Sequence, residues 1–305
     1  MNYHAARWHD FKRPSIYHIT LTQLPGQLPF GHLAGSDDYP YIQTTPFGNA
    51  VRLILQAHLN RDGAFFMGTH IIMPDHIHLL LTVQQPLARS IRCEVAAAKS
   101  AVSRLHARLR GMDTVPSVFV SDFHTRILFN ADQLDTASQY IKDNPRRLWV
   151  KRSHPDLFTA RHTLTVHDRQ WDAMGNIFLL NDFDIQSARV SSRISDAERA
   201  QRRQAWQRVI DNSGVFAGYF FSEPERQLRQ MLIDNGGRLI MLMDHPMPER
   251  YKPAGRWFDM CAGARLLILA PAAPLPGHWS QRRICLYLND VGDAIAAHNF
   301  SDQTL

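Results

Sequence analysis

Two apolar runs, 64–73 and 76–84, meet at Pro74-Asp75. A proline fixes φ and an aspartate favours a turn, so runs of this length on either side predict the two strands of a hairpin. Side chains alternate along a strand. His76 and His78 therefore leave by one face and Ile77 by the other. Two imidazoles about 7 Å apart on one face can hold a single metal ion. The same pattern also serves as two half-buried histidines with no ligand at all.

A second segment changes the weight of that pair. Residues near Ala131 onwards read as a helix that Pro145 should stop, and it carries Gln139-Tyr140-Ile141-Lys142-Asp143-Asn144-Pro145-Arg146-Arg147. Tyr140 and Asn144 are four apart and share one helix face, which presents a phenol and an amide carbonyl together.

Four pieces taken in order are Tyr17-His18-Ile19-Thr20, Met73-Pro74-Asp75-His76-Ile77-His78-Leu79-Leu80, Phe123-His124-Thr125-Arg126-Ile127-Leu128 and Tyr140-Ile141-x-x-Asn144-Pro145. With these, residues 15–155 resemble the single-tyrosine HUH transposases of the insertion-sequence 200/605 type, and in particular their relatives associated with repetitive extragenic palindromes (REP). The second and fourth pieces carry most of the likeness. The resemblance implies a transposase-like endonuclease and strand transferase acting on single-stranded DNA flanked by hairpins. It implies that His76, His78 and Asn144 hold Mg²⁺ or Mn²⁺ and that Tyr140 is the nucleophile, leaving a 5′-phosphotyrosine link. Thr125 stands where an acid is expected. The resemblance implies a monomer or a homodimer, since relatives of this type can complete a site with a tyrosine helix from the partner chain. A hairpin-DNA binding protein with a vestigial site is the alternative.

Charge agrees with a polyanionic partner. Residues 1–155 hold 17 Lys and Arg against 11 Asp and Glu, whereas residues 156–305 hold 17 of each. The whole surplus of six lies in the part that carries the motifs, and cationic groups supply most sequence-independent affinity for nucleic acid. No run of 18 uncharged apolar residues occurs and the first 13 residues are polar and aromatic, so a soluble, cytoplasmic protein with no membrane partner is expected. Cys93, Cys261 and Cys285 are odd in number and widely spaced, which fits reduced thiols.

Within residues 1–155, a basic and aromatic arm (Tyr3, Arg7, Trp8, Lys12, Arg13) precedes a first strand over 15–23. On that strand His18 either packs or approaches the metal. Residues 24–45 read as a long loop and Pro46–Asn60 as a helix capped by Thr45. A further helix over 87–109 carries Arg89, Arg92 and Lys99 on one side, as a solvated face or a phosphate-binding one. Strand residues near 118–120 and 125–129 precede the tyrosine helix. The order β-α-β-β-α-β-α predicts an α+β, ferredoxin-like domain, the fold that the resemblance to the HUH transposases also implies for residues 1–155. After it, Arg146, Arg147, Lys151 and Arg152 can grip a cleaved strand or simply oppose the helix dipole.

Past Pro155 the pattern alters. Residues 176–180, 215–221, 238–243, 265–270 and 284–288 read as strands. Helices with capping boxes begin at Ser195 and Ser222, and a last helix covers 291–298. This predicts a second domain, 156–305, that is smaller, α/β and Rossmann-like, with a mostly parallel sheet. It loosely resembles the Rossmann-like domain of DNA-processing protein A. No G-x-G-x-x-G or Walker A sequence is present, and no cofactor-binding residues are assigned. A nucleotide-sensing role near Gly236, Arg250, Lys252 and Arg256 is the second alternative.

Overall fold

The computed structural model describes residues 9–60, 63–167, 169–191 and 193–302. Tyr3, Arg7 and Trp8 of the basic arm lie outside the described residues. The chain divides into two units, Met1–Val150 and Lys151–Leu305, so the second is not the smaller. Among the described residues no helix is long and apolar enough to cross a membrane.

The first unit runs β1 (Ser15–Thr22), β2 (Gly31–Ala34), β3 (Tyr41–Thr44), α1 (Pro46–Leu59), β4 (Phe65–Ile72), β5 (His76–Val83), α2 (Ile91–Leu109), β6 (His124–Leu128) and α3 (Ala131–Ser153). An antiparallel sheet of order β4-β5-β1-β6 is its frame. Tyr17, Ile19 and Leu21 of β1 and Ile77, Leu79 and Leu81 of β5 bury one face under α1 and α2, which contribute Val51, Leu55, Val95 and Val102. The opposite face meets α3 through Leu80, Leu128, Ala137 and Ile141. Burial of such aliphatic side chains contributes about 1.5–3 kcal/mol each before entropy is charged against it.

Local chemistry sets the ends. Thr45 caps α1 by accepting the Gly48 amide at 3.0 Å, with Pro46 at the first helical position. A Cβ at Gly48 would lie 1.8 Å from the Phe30 carbonyl, so only glycine lets the helix approach there. The β4–β5 turn closes with Met73 N donating to His76 O at 2.8 Å, and its outer carbonyls, Pro74 O and Asp75 O, accept from Phe30 N and Gln23 N.

Two expectations for this unit are corrected. Residues 24–45 are not a structureless loop but hold the β2–β3 hairpin, whose four-residue strands are too short to show alternation. Pro145 does not end the helix: α3 continues to Ser153. Proline lacks the N–H that would pair with the Ile141 carbonyl. The Asn144 side-chain amide reaches back instead, donating to Tyr140 O at 2.7 Å and to Ile141 O at 3.5 Å. Fully buried Ile141 anchors the same turn.

The second unit contains β7 (Arg161–Val166), β8 (Arg169–Gly175), β9 (Ile185–Ser187), α4 (Asp196–Asp211), β10 (Val215–Gly218), α5 (Glu223–Asp234), β11 (Arg238–Leu242), α6 (Arg256–Ala262), β12 (Leu266–Pro271), α7 (Gln281–Ala296) and β13 (Ser301–Asp302). Seven strands form one sheet in the order β13-β7-β8-β12-β11-β10-β9. The four from β9 to β12 are parallel, but β12–β8, β8–β7 and β7–β13 are antiparallel, so the sheet is mixed rather than mostly parallel. The polar composition of 161–175 hid β7 and β8. Residues 176–180 are not a strand either. Asn176 accepts the Phe178 amide at 3.1 Å and starts a 3₁₀ turn over Ile177–Asn181. Residues 284–288 lie inside α7, because Leu288, Val291 and Ile295 bury at helical spacing after the Ser280 cap. Both predicted capping boxes form, Ser195 with Glu198 and Ser222 with Glu225.

Candidate active site

The register of three strands builds the site. Thr22 lies opposite His76, Thr20 opposite His78 on one side and His124 on the other, and His18 opposite Leu80 and Arg126. Alternation puts all of them on the face that α3 crosses. Thr125, by the same rule, belongs to the other face: it pairs with fully buried Ile19, and its hydroxyl is buried without a hydrogen-bond partner. The position expected to be acidic thus looks into the core.

The tyrosine helix begins at Asn130, whose carboxamide oxygen accepts the Gln133 amide at 2.9 Å. A hydroxyl pair, Thr69 with Ser138 at 2.9 Å, and the apolar contacts of Ala137 and Ile141 hold it on the sheet. Tyr140 stands between them on the sequence and is 38% exposed. Its ring centroid lies 5.5 Å from that of His78 and 6.0 Å from that of His18. The His76 and His78 rings are 4.9 Å apart, and those of His18 and His78 5.2 Å. Seven residues on, two helical turns, the Arg147 guanidinium carbon sits 5.5 Å from the Tyr140 ring centroid, a distance at which cation and π-face attract.

Each imidazole has a defined neighbour. His76 Nδ1 is 2.7 Å from an Asp75 carboxylate oxygen, so a neutral His76 carries its proton on Nδ1 and keeps the Nε2 lone pair. His78 Nδ1 is 2.9 Å from Thr20 Oγ1 and 3.2 Å from His18 Nε2. Burial pushes the His78 pKa down to about 3, helped by the nearby His76, His18 and His124. His18 is lowered to about 4, first by burial and then by His124 and Arg126. Both are therefore neutral at physiological pH, the form in which imidazole binds a metal.

Among the described residues no three His, Cys, Asp or Glu side chains form a ready metal cage. The donor chemistry nevertheless suits a divalent ion: two imidazoles, one already oriented through a carboxylate, stand beside a phenol. Asn144 is one turn from Tyr140 and buried, with its amide nitrogen given to the helix carbonyls.

The basic residues separate into different roles. Lys99 is buried and donates to Val120 O at 2.7 Å and Ser121 O at 3.0 Å. Arg92 pairs with Asp122 at 2.7 Å, while Arg89 is exposed. Arg146 bonds Asp143 with two contacts, 2.5 and 2.9 Å, and Arg147 is buried with Asp143 at 3.9 Å. Lys151, the first residue of the second unit, lies 5.7 Å from the Phe258 ring centroid of that same unit. Sequence reasoning left Thr20, Asp75 and Arg126 without a role and His18 with two. Asp75 adjoins His76 in the chain, whereas strand pairing, not local spacing, brings Thr20, His18 and Arg126 to the pair.

In the second unit the turn after β10 is the usual place for a phosphate on a parallel sheet. Here the Glu225 carboxylate, itself buried, accepts the amides of Val190 (3.1 Å), Phe221 (2.9 Å) and Ser222 (2.9 Å). Of the residues expected near a nucleotide, Arg256 pairs with Asp234 at 2.9 Å, and Arg250 and Lys252 are exposed.

No family model matches the chain, and no curated protein matches it. Among solved structures it is similar to a REP-associated tyrosine transposase bound to a REP hairpin, at 12% identity and a TM-score of 0.30, over 47% of this chain and 73% of that one. A score of that size assigns neither fold nor activity, and the functional reading rests on the site itself.

Proposed function

We propose that this protein is a metal-dependent, single-stranded DNA endonuclease and strand transferase of the single-tyrosine HUH kind, with Tyr140 as nucleophile. In this reading the first unit is a ferredoxin-like HUH domain and the second a Rossmann-like accessory domain. The observation that carries it is the meeting of the Tyr140 ring with His78 and His18 inside one chain, on a surface open enough to leave the phenol part exposed. The quoted motifs and the positive surplus of residues 1–155 support a DNA substrate.

His76, His78 and Asn144 would hold Mg²⁺ or Mn²⁺, which when bound polarises the scissile phosphate and offsets the charge that grows on its oxygens. The chain's own residues do the rest. Tyr140 Oη forms a bond to phosphorus as the bond to the 3′-oxygen breaks; the phenol gives up its proton and the departing 3′-oxygen gains one. The ester that results keeps the energy of the phosphodiester, so a 3′-hydroxyl can reverse the step and join strands without ATP. Arg147 steadies the phenol ring from one side. Arg89, Arg146 and Lys151 supply positive charge along the strand.

The test is a 3′-end-labelled single strand carrying a hairpin, incubated with Mn²⁺ and run on a denaturing gel. Wild-type protein should yield a labelled covalent adduct and Tyr140→Phe none. An adduct that persists in Tyr140→Phe, or DNA binding without any adduct, defeats the reading and leaves a hairpin-binding protein.

A further inference from the structure

The two histidines of the pair are held in the same way, although their partners come from different parts of the chain. His76 Nδ1 faces the Asp75 carboxylate at 2.7 Å, a neighbour in sequence. His78 Nδ1 faces Thr20 Oγ1 at 2.9 Å and His18 Nε2 at 3.2 Å, both on the adjacent strand β1. Two groups thus converge on one ring nitrogen. An imidazole nitrogen without a proton offers a single in-plane lone pair and serves two donors badly. One N–H shared between two acceptors is an ordinary three-centre bond. The threonine hydroxyl oxygen can accept, and so can a neutral His18 whose proton is on its own Nδ1.

From this geometry we infer that Thr20 and His18 are positioning residues that fix His78 as the Nδ1–H tautomer, leaving Nε2 as its only lone-pair nitrogen. His76 reaches the same state through Asp75. Both imidazoles then present Nε2, the arrangement in which a hydrogen-bonded second nitrogen orients a metal-binding histidine and raises its basicity. The link to metal rests on the function proposed above; the tautomer itself does not. It gives His18 and Thr20 a task that neither a strand pattern nor ordinary packing assigns.

The experiment uses the full chain, ¹⁵N-labelled, with Tyr140→Phe as the background so that no cleavage intervenes. Long-range ¹H–¹⁵N correlations on the metal-free protein should show His78 protonated at Nδ1 and bare at Nε2. Thr20→Val should mix the tautomers, and Thr20→Ser, which keeps the hydroxyl, should restore the wild-type pattern. His18→Phe should weaken the preference without reversing it. Titration with Mn²⁺ should then show Thr20→Val binding about 10- to 100-fold more weakly, and Thr20→Ser close to wild type.

A wild-type His78 protonated at Nε2 overturns the inference, as does a Thr20→Val protein whose tautomer and Mn²⁺ affinity are unchanged. Wild-type protein that shows the Nδ1–H form yet binds no Mn²⁺ upholds the inference and removes the metal from the proposed function.

Discussion

Tyr140 and His78, 62 positions apart in the chain, meet at a centroid distance of 5.5 Å with their rings 77° apart, edge towards face. A helix residue and a strand residue are thereby fixed against each other within one protomer. The consequences of that placement, and of the packing that secures it, can be measured.

Asn144 does for α3 what the missing amide of Pro145 cannot. Asn144→Ala should cost about 1 kcal/mol of stability, the net worth of a partly buried hydrogen bond. Pro145→Ala restores a backbone N–H to Ile141, so the same Asn144→Ala change made in that background should cost distinctly less. Urea midpoints of the four proteins measure the coupling, and strictly additive costs would show that the two positions act independently.

Acid should weaken the first unit before its carboxylates titrate. His18 and His78 are lowered from 6.5 to about 4 and about 3, chiefly by burial. Near pH 5 the unfolded chain therefore binds protons that the folded chain refuses. The stabilisation is complete above 6.5 and is lost as pH falls towards the folded values. Denaturant midpoints should fall between pH 7.5 and 5, and His78→Gln should flatten that slope. A midpoint constant across this interval would contradict neutral burial.

Lys99 ties α2 to the 120–121 segment through two carbonyls. Lys99→Met should cost about 1–3 kcal/mol, since two carbonyls lose a charged donor. It should leave the salt dependence of DNA binding unaltered. Exposed Arg89, changed to Ala, should do the reverse: little change in stability and a shallower slope of log affinity against log salt. Fluorescence anisotropy over a salt series separates them, and a loss of slope in Lys99→Met would return that residue to the DNA interface.

Glu225 fills its own helix entrance with a charged acceptor of three amides. Glu225→Gln swaps one carboxylate oxygen for a donor and should lower stability by about 2 kcal/mol, within the range for hydrogen bonds to charged groups. If Glu225→Gln unfolds at the wild-type urea concentration, the carboxylate is not needed there.

Much of the first unit is legible where the determinants are local. Pro74-Asp75 names the turn, Thr45-Pro46 the start of α1, and the four-residue step from Tyr140 to Asn144 their shared face. The misses share a physical origin. Four-residue strands such as β2 and β3 show too little alternation. Polar strands such as β7 and β8 owe their place to the partners they pair with. The apolar run 284–288 is short enough to pass for a strand but has helical spacing on the larger scale.

What the sequence by itself determined is therefore local: the hairpin bearing His76 and His78, the caps, the spacing on the tyrosine helix, and the unequal charge of the two halves. The tertiary structure alone decided that α3 runs through Pro145, that Lys99 turns inward, and that His18 and Thr20 close on His78. A turn or a cap is written in adjacent residues. A register between strands 58 or 60 positions apart is chosen by which pairing buries Tyr17, Ile19 and Leu21 under the helices, and no short stretch of chain contains that information.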